Sequence, residues 1–213
     1  MTGSSSPVRS PAAEPALDFH DRRLYLITAA RPELRAFLAA AVRGGVDLVQ
    51  LRDKELGDRA LLSALHEARA VTRALGVPLV VNDRPDLAVL AEADAVHVGQ
   101  DDVPIEAARR FALAVGLSTH TPGEVEAARA DYIGVGPVYA TPTKAGRPAA
   151  GLELVRHAAA HARAPWFAIG GVDRSTIEAV VTAGAHRVAV VRAIGDAADP
   201  EAAARELRGA LPD

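Results

Sequence analysis

From Leu24 onward, short runs of apolar and β-branched residues alternate with longer segments rich in Ala, Leu and Arg. The runs lie at 24–28, 48–52, 78–83, 95–100, 115–119, 132–138, 166–172 and 187–193, and each has the length of a strand. Helices are expected at 32–44, 58–75, 85–92, 104–112, 122–129, 151–162, 173–183 and 199–210. In the segment after Asp58, Leu61, Leu62, Leu65, Ala68, Val71, Thr72 and Leu75 recur at steps of three and four, while Arg59, Glu67, Arg69 and Arg73 mostly fall on the other face. The strand runs are instead apolar at successive positions, as in Leu79-Val80-Val81. That pattern marks burial on both faces and hence a parallel sheet covered by helices. Eight such units imply an α/β chain folded as a single (β/α)8 TIM barrel over 23–213. A doubly wound open sheet is the alternative, but its first strand is usually followed by a GxGxxG turn, and none follows 24–28.

The stretch 1–22 breaks the alternation. It is rich in Ser, Pro and Ala with neither period, and is expected to be a disordered tail. The remainder of the 213 residues, with 49% hydrophobic content overall, can bury a substantial core as one domain. The absence of cysteine removes disulfides, thiolate metal sites and a thiol nucleophile, and suits a reducing cytoplasm. No apolar stretch reaches the roughly 18 residues of a membrane span, and the N-terminus has no basic start followed by an apolar signal core. A soluble cytoplasmic protein with no membrane partner is therefore expected. A net charge of −3 offers no global positive field to nucleic acid, so any anion site must be local. Nothing in the pattern decides against a homo-oligomer.

A barrel of this kind carries its functional groups at the C-terminal ends of the strands and in the loops that follow. The second run ends Gln50-Leu51-Arg52-Asp53-Lys54, and since alternate strand residues share a face, Gln50 and Arg52 are expected to point together into the mouth, with Lys54 above. An inward Arg is costly as packing unless it meets an anion, either a ligand or an internal carboxylate. The third run ends Asn82-Asp83 and the fourth leads into Gly99-Gln100-Asp101-Asp102. Carboxylates from these neighbouring ends suit one Mg2+ that leaves further positions to water and phosphate oxygens. Helix capping is the plainer use of Asp83, which precedes Arg84-Pro85. Ser118, in Gly116-Leu117-Ser118-Thr119-His120, offers a hydroxyl with no base patterned beside it, and His97 and His120 read first as structural hydrogen-bonding residues. After the sixth run, Thr141-Pro142-Thr143-Lys144 opens the longest irregular piece of the body, and its hydroxyls and cation suit charged oxygens. The last two runs end Ile169-Gly170-Gly171-Val172 and Val190-Val191-Arg192-Ala193, where many barrels bind phosphate through backbone N–H groups.

In their order and spacing these segments, together with Asp131-Tyr132-Ile133-Gly134-Val135-Gly136-Pro137-Val138, resemble the thiamine phosphate synthase family over about 24–200. The resemblance implies a TIM barrel that joins 4-amino-2-methyl-5-hydroxymethylpyrimidine diphosphate to 4-methyl-5-(2-hydroxyethyl)thiazole phosphate or its carboxylated form. It implies that Gln50, Leu51, Arg52, Asp53, Lys54, Asn82, Ser118 and Lys144 hold the pyrimidine diphosphate, and that Asp83 and Asp102 bind Mg2+. Thr141, Pro142, Thr143, Gly171, Val191 and Arg192 would hold the thiazole phosphate. Arg52, Lys54, Ser118 and Lys144 would serve catalysis in a dissociative reaction, which explains why no nucleophile or strong base stands out. Arg192 stands where the family often has Ser, and the connections near Arg110-Phe111 and Arg129-Ala130 are a few residues short. A sister thiazole tautomerase, or a silent barrel that binds a thiamine-related phosphate, are the alternative readings. The two cationic segments disfavour the first, since an isomerase of a monophosphate needs no second anion site, and the retained carboxylates disfavour the second.

Overall fold

The computed structural model describes residues 17–111, 113–141 and 148–212. Its strands are β1 Leu24–Thr28, β2 Leu48–Leu51, β3 Leu79–Asn82, β4 Ala95–Val98, β5 Ala114–Thr119, β6 Tyr132–Val135, β7 Trp166–Ile169 and β8 Val188–Val190. All pair in parallel and in chain order, and β8 closes on β1 through Leu24 opposite Val188 and Leu26 opposite Val190. Around them lie α1 Leu34–Arg43, α2 Asp58–Ala74, α3 Pro85–Leu90, α4 Ile105–Ala108, α5 Pro122–Ala127, α6 Gly151–His161, α7 Ile177–Thr182, α8 Arg192–Gly195 and α9 Pro200–Gly209. The expected (β/α)8 barrel is thus observed.

Strand alternation sorts the core into two clusters. Leu24, Leu26, Val49, Leu51, Leu79, Val81, Val96, Val98, Ile133, Val135, Val188 and Val190 face outward against the helices. Tyr25, Ile27, Leu48, Val80, Ala95, Tyr132, Phe167 and Ala189 face inward and fill the barrel. This inside-and-outside burial is why the strands read as continuous apolar runs.

Within the stretch expected to be a tail, the described body begins earlier than composition suggests. Phe19 is buried beneath the barrel and stacks on Tyr132 with centroids 4.4 Å apart. A single aromatic in a polar, Pro-rich stretch is too weak a signal to move the boundary. Residues 1–16 of that expected tail lie outside the described residues.

Several strands end short of the expected runs. β6 stops at Val135 because Gly136-Pro137 follows and proline has no N–H to donate to the ladder. β7 stops at Ile169 because Gly170 and Gly171 turn the chain with φ of 102° and 65°. A Cβ on Gly171 would also lie 2.7 Å from that of Tyr139, so the turn admits no side chain there. Despite the shortened connections, β5 keeps its register with both neighbours, Ser118 lying opposite Gly134 and His97 opposite Gly116. Among the described residues, no helix is long and apolar enough to cross a membrane.

Candidate active site

The C-terminal ends of the strands enclose a cavity of about 300 Å3, at the lower end of the range for small-molecule sites. Gln50, Arg52, Asn82, His97 and Ser118 line one side, and Thr141, Gly170, Gly171, Val191 and Arg192 line another.

Gln50 lies on the inward face of β2, and Arg52, one residue past its end, lines the same cavity, as alternation requires. Gln50 is buried, and its Nε2 donates to Tyr25 Oη at 2.6 Å. The Arg52 backbone N–H donates to Thr28 O at 2.8 Å, which anchors the residue to β1. No ion pair to its guanidinium occurs among the described residues. The internal salt bridge that would explain an inward arginine as packing is therefore absent among them, and its charge is open to a ligand.

Leu51 faces the other way, into the core between strands and helices, so only its backbone lies near the mouth. Asp53 is engaged with the loop itself: its carboxylate accepts from the N–H groups of Ala30, Glu55 and Leu56 at 3.0–3.2 Å. Lys54 is half exposed, with Nζ 3.4 Å from Asp83 Oδ2.

Asp83 has a left-handed backbone with φ of 62°, an uncommon conformation that Asp and Asn tolerate best. It does not cap α3, whose N-cap is Arg84 with no side-chain bond. Arg84 is clamped to Asp58 and Asp86, which ties the turn to α2. The Asp83 carboxyl is pushed up, first by burial and then by the Asp102 carboxylate beside it, against the opposing pull of Lys54. Asp102 is exposed and accepts from Gly99 N–H at 2.8 Å, which turns it back over the strand end. No group of three or more His, Cys, Asp or Glu that could hold a metal occurs among the described residues.

Ser118 lies in the cavity wall with Oγ 3.0 Å from His97 Nε2. His97 Nδ1 lies 3.0 Å from Tyr132 Oη, which lies 2.9 Å from Tyr25 Oη. His97 is thus a cavity residue that sequence reasoning set aside. Its place two residues after Ala95 on the inward face of β4 was the signal that could have found it. His120 also lines the cavity and holds Gly136 O through Nδ1.

On the far wall, Thr176 Oγ1 donates to Gly171 O at 3.1 Å and fixes the glycine turn. Val191 precedes the four-residue helix α8, and Arg192 opens it as an exposed side chain at the cavity edge. Helix α8 is too short to leave a periodic trace in sequence and was not expected. Thr141 is present in the lining, whereas Pro142, Thr143 and Lys144 lie outside the described residues.

The model of one protein family, thiamine monophosphate synthase, matches residues 24–194. A thiamine-phosphate synthase of Gloeobacter violaceus is 52% identical over 184 residues, which cover 84% of this chain and 54% of that protein; the chain thus spans about half of that relative. The thiamine-phosphate synthase of Saccharopolyspora erythraea is 52% identical over 88% of this chain and 92% of its own length. Among solved structures, a thiamine phosphate pyrophosphorylase from Pyrococcus furiosus matches with a TM-score of 0.80 and 33% identity, over 88% of this chain and 94% of that one.

Proposed function

This chain belongs to the thiamine monophosphate synthase family, and we propose that its barrel mouth is where a pyrimidine diphosphate and a thiazole phosphate are joined into thiamine phosphate, with release of pyrophosphate. The observation that carries this reading is the Arg52 guanidinium, which faces the cavity without an internal carboxylate among the described residues. Across the same cavity lie the glycine turn Gly170-Gly171 and the Val191-Arg192 step. One wall thus suits a diphosphate and the other a monophosphate.

In this reading Gln50, Asn82 and Ser118 hold the pyrimidine, and Arg52 and Lys54 hold its diphosphate. Lys144 is expected to add a cation to the diphosphate, and Thr141, Pro142 and Thr143 are expected to hold the thiazole phosphate. Gly171 and Val191 offer backbone N–H groups to the thiazole phosphate, and Arg192 adds a cation beside them. Leu51 and Asp53 act on the arrangement indirectly, one as a wedge in the core and the other as the brace of the loop that carries Lys54.

The donor set fits Mg2+. Asp83 and Asp102 are adjacent carboxylates, one held above its ordinary range, and a divalent cation relieves their repulsion. Mg2+ takes one or two carboxylates and completes its shell with water and phosphate oxygens, so two protein ligands suffice. Its contribution when bound is to neutralise charge on the diphosphate.

The chain's own residues then bind and align. The bond between the pyrimidine methylene and the diphosphate oxygen breaks, and its electron pair leaves on pyrophosphate. The thiazole nitrogen donates its lone pair to the methylene carbon and forms the new C–N bond. No protein nucleophile or base enters this step, so catalysis rests on charge stabilisation by Arg52, Lys54 and Lys144 and on the alignment of the two rings.

The test is to incubate the purified chain with both substrates and Mg2+ and to quantify products. Thiamine phosphate and pyrophosphate formed in equal amounts are expected. No thiamine phosphate, with isomerisation of a thiazole carboxylate phosphate instead, would replace this reading with a tautomerase.

A further inference from the structure

Two tyrosines with no direct place in the cavity lining connect the groups that do have one. Tyr25 and Tyr132 are 2% and 0% exposed, and both phenols lie within the inward-facing cluster of the barrel. Their rings pack edge-on against each other and against Phe167. Phe167 fills the same layer as pure hydrocarbon, so the layer does not require hydroxyls. Two buried hydroxyls are costly unless each is paired, and here each has partners on both sides. The pairing runs from Gln50 Nε2 to Tyr25 Oη at 2.6 Å, to Tyr132 Oη at 2.9 Å, to His97 Nδ1 at 3.0 Å, and from His97 Nε2 to Ser118 Oγ at 3.0 Å.

The protons in such a chain are ordered. Tyr25 accepts from the Gln50 amide, and the acceptor left among the described residues for its single buried hydrogen is Tyr132 Oη, so Tyr25 donates to Tyr132. Tyr132 in turn donates to His97 Nδ1, which leaves the hydrogen of a neutral imidazole on Nε2, facing Ser118 Oγ. Ser118 then has its own O–H free to donate into the cavity, while Gln50 turns its carbonyl oxygen there. If Gln50 were to turn over, every bond would reverse together, and Ser118 would become the acceptor.

We propose that Tyr25 and Tyr132 are positioning residues that lock Gln50 and Ser118 into opposite hydrogen-bonding senses, so that the cavity accepts from the ligand at Gln50 and donates to it at Ser118. A 4-aminopyrimidine meets this demand, with an exocyclic N–H donor beside a ring-nitrogen acceptor. A 4-oxopyrimidine presents the reverse pattern, a carbonyl acceptor beside a ring N–H. The tyrosines thereby select for the amino form without touching it. This rests on the reading that Gln50 and Ser118 face the pyrimidine.

The experiment measures dissociation constants of the 4-amino and 4-oxo pyrimidine monophosphates by calorimetry on the full chain with Mg2+. Tyr132→Phe and Tyr25→Phe each remove one oxygen and keep the ring, and either one suffices if the other fails to fold. The wild-type chain is expected to prefer the 4-amino compound by on the order of 10²-fold or more, since a site built around polar partners rejects the mismatched group strongly. In the phenylalanine variants Gln50 and Ser118 turn independently, and the preference falls by about tenfold or more, the cost of roughly one well-formed hydrogen bond. Pyrophosphate affinity stays unchanged, whereas general distortion of the barrel would move it too. An unchanged preference in both folded tyrosine variants, with a lowered one in Gln50→Ala or Ser118→Ala, overturns the inference and leaves the pyrimidine placement standing. An unchanged preference in Gln50→Ala and Ser118→Ala as well overturns the placement and the inference with it.

Discussion

Asp83 concentrates the conflict between stability and function in a single side chain. Its backbone is left-handed, its carboxyl is partly buried, and the Asp102 carboxylate beside it raises its proton affinity further. A carboxyl whose folded pKa is raised holds its proton more tightly in the native state, so its effect favours folding at acid pH and turns unfavourable as pH climbs through the folded value. Asp83→Asn keeps the shape, suits the left-handed backbone and removes the repulsion. It sacrifices only a half-exposed pairing with Lys54, worth little in water. With metal chelated, the variant is expected to melt above the wild type near neutral pH, by about 2–4 °C for each kcal/mol relieved. That gap should close below about pH 4, where the wild-type carboxyl is protonated in both states. Melting curves across pH check this, and a neutral-pH midpoint lower in the variant would contradict it. The residues at Arg52, Asp83 and Ser118 were legible in sequence because strand alternation and strand ends locate them. The tyrosines were not: Tyr25 and Tyr132 are 107 residues apart, and an aromatic at an inward position reads as core.

At the scale of elements, β5 and β6 show how one strand makes room for its neighbour's chemistry. Gly116 lies opposite Tyr132 in the ladder, and a Cβ there would overlap the phenol ring and its oxygen. Gly116→Ala must therefore push the Tyr132 hydroxyl off His97 or open the sheet, and is expected to destabilise by about 1–3 kcal/mol, as overpacking of a tight core does. Denaturant unfolding would register this, and a midpoint equal to wild type would show that the ring yields freely. Strand and helix order was legible because parallel strands and amphipathic helices carry different periods. Their C-terminal limits were less so, since Gly136-Pro137 and Gly170-Gly171 end β6 and β7 by backbone geometry within still-apolar runs. Helix α8 was hidden because four residues are too few to express a period.

The whole molecule divides its labour between two ends. Below, Phe19 seals the barrel, and Asp47 accepts from the N–H groups of Arg23 and Leu24 at 2.7 and 3.0 Å, binding the start of β1 to the turn before β2. Above, the strand ends gather the Arg52 and Arg192 cations, a pair of crowded carboxylates, a glycine turn and an ordered polar floor around one cavity. The split is the usual one for this architecture, in which the lower face serves stability and the upper face serves chemistry. In the proposed reaction Asp83 and Asp102 bring Mg2+ to a diphosphate held by Arg52. The direct test is the rate of pyrophosphate release as Mg2+ is titrated against the wild type, Asp83→Asn and Asp102→Asn, with both substrates present. Saturable activation is expected in the wild type, with the half-saturating Mg2+ raised by on the order of tenfold or more in each variant and the KM for thiazole phosphate unchanged. Release that is insensitive to Mg2+ in the wild type, or identical Mg2+ curves in all three proteins, would contradict it.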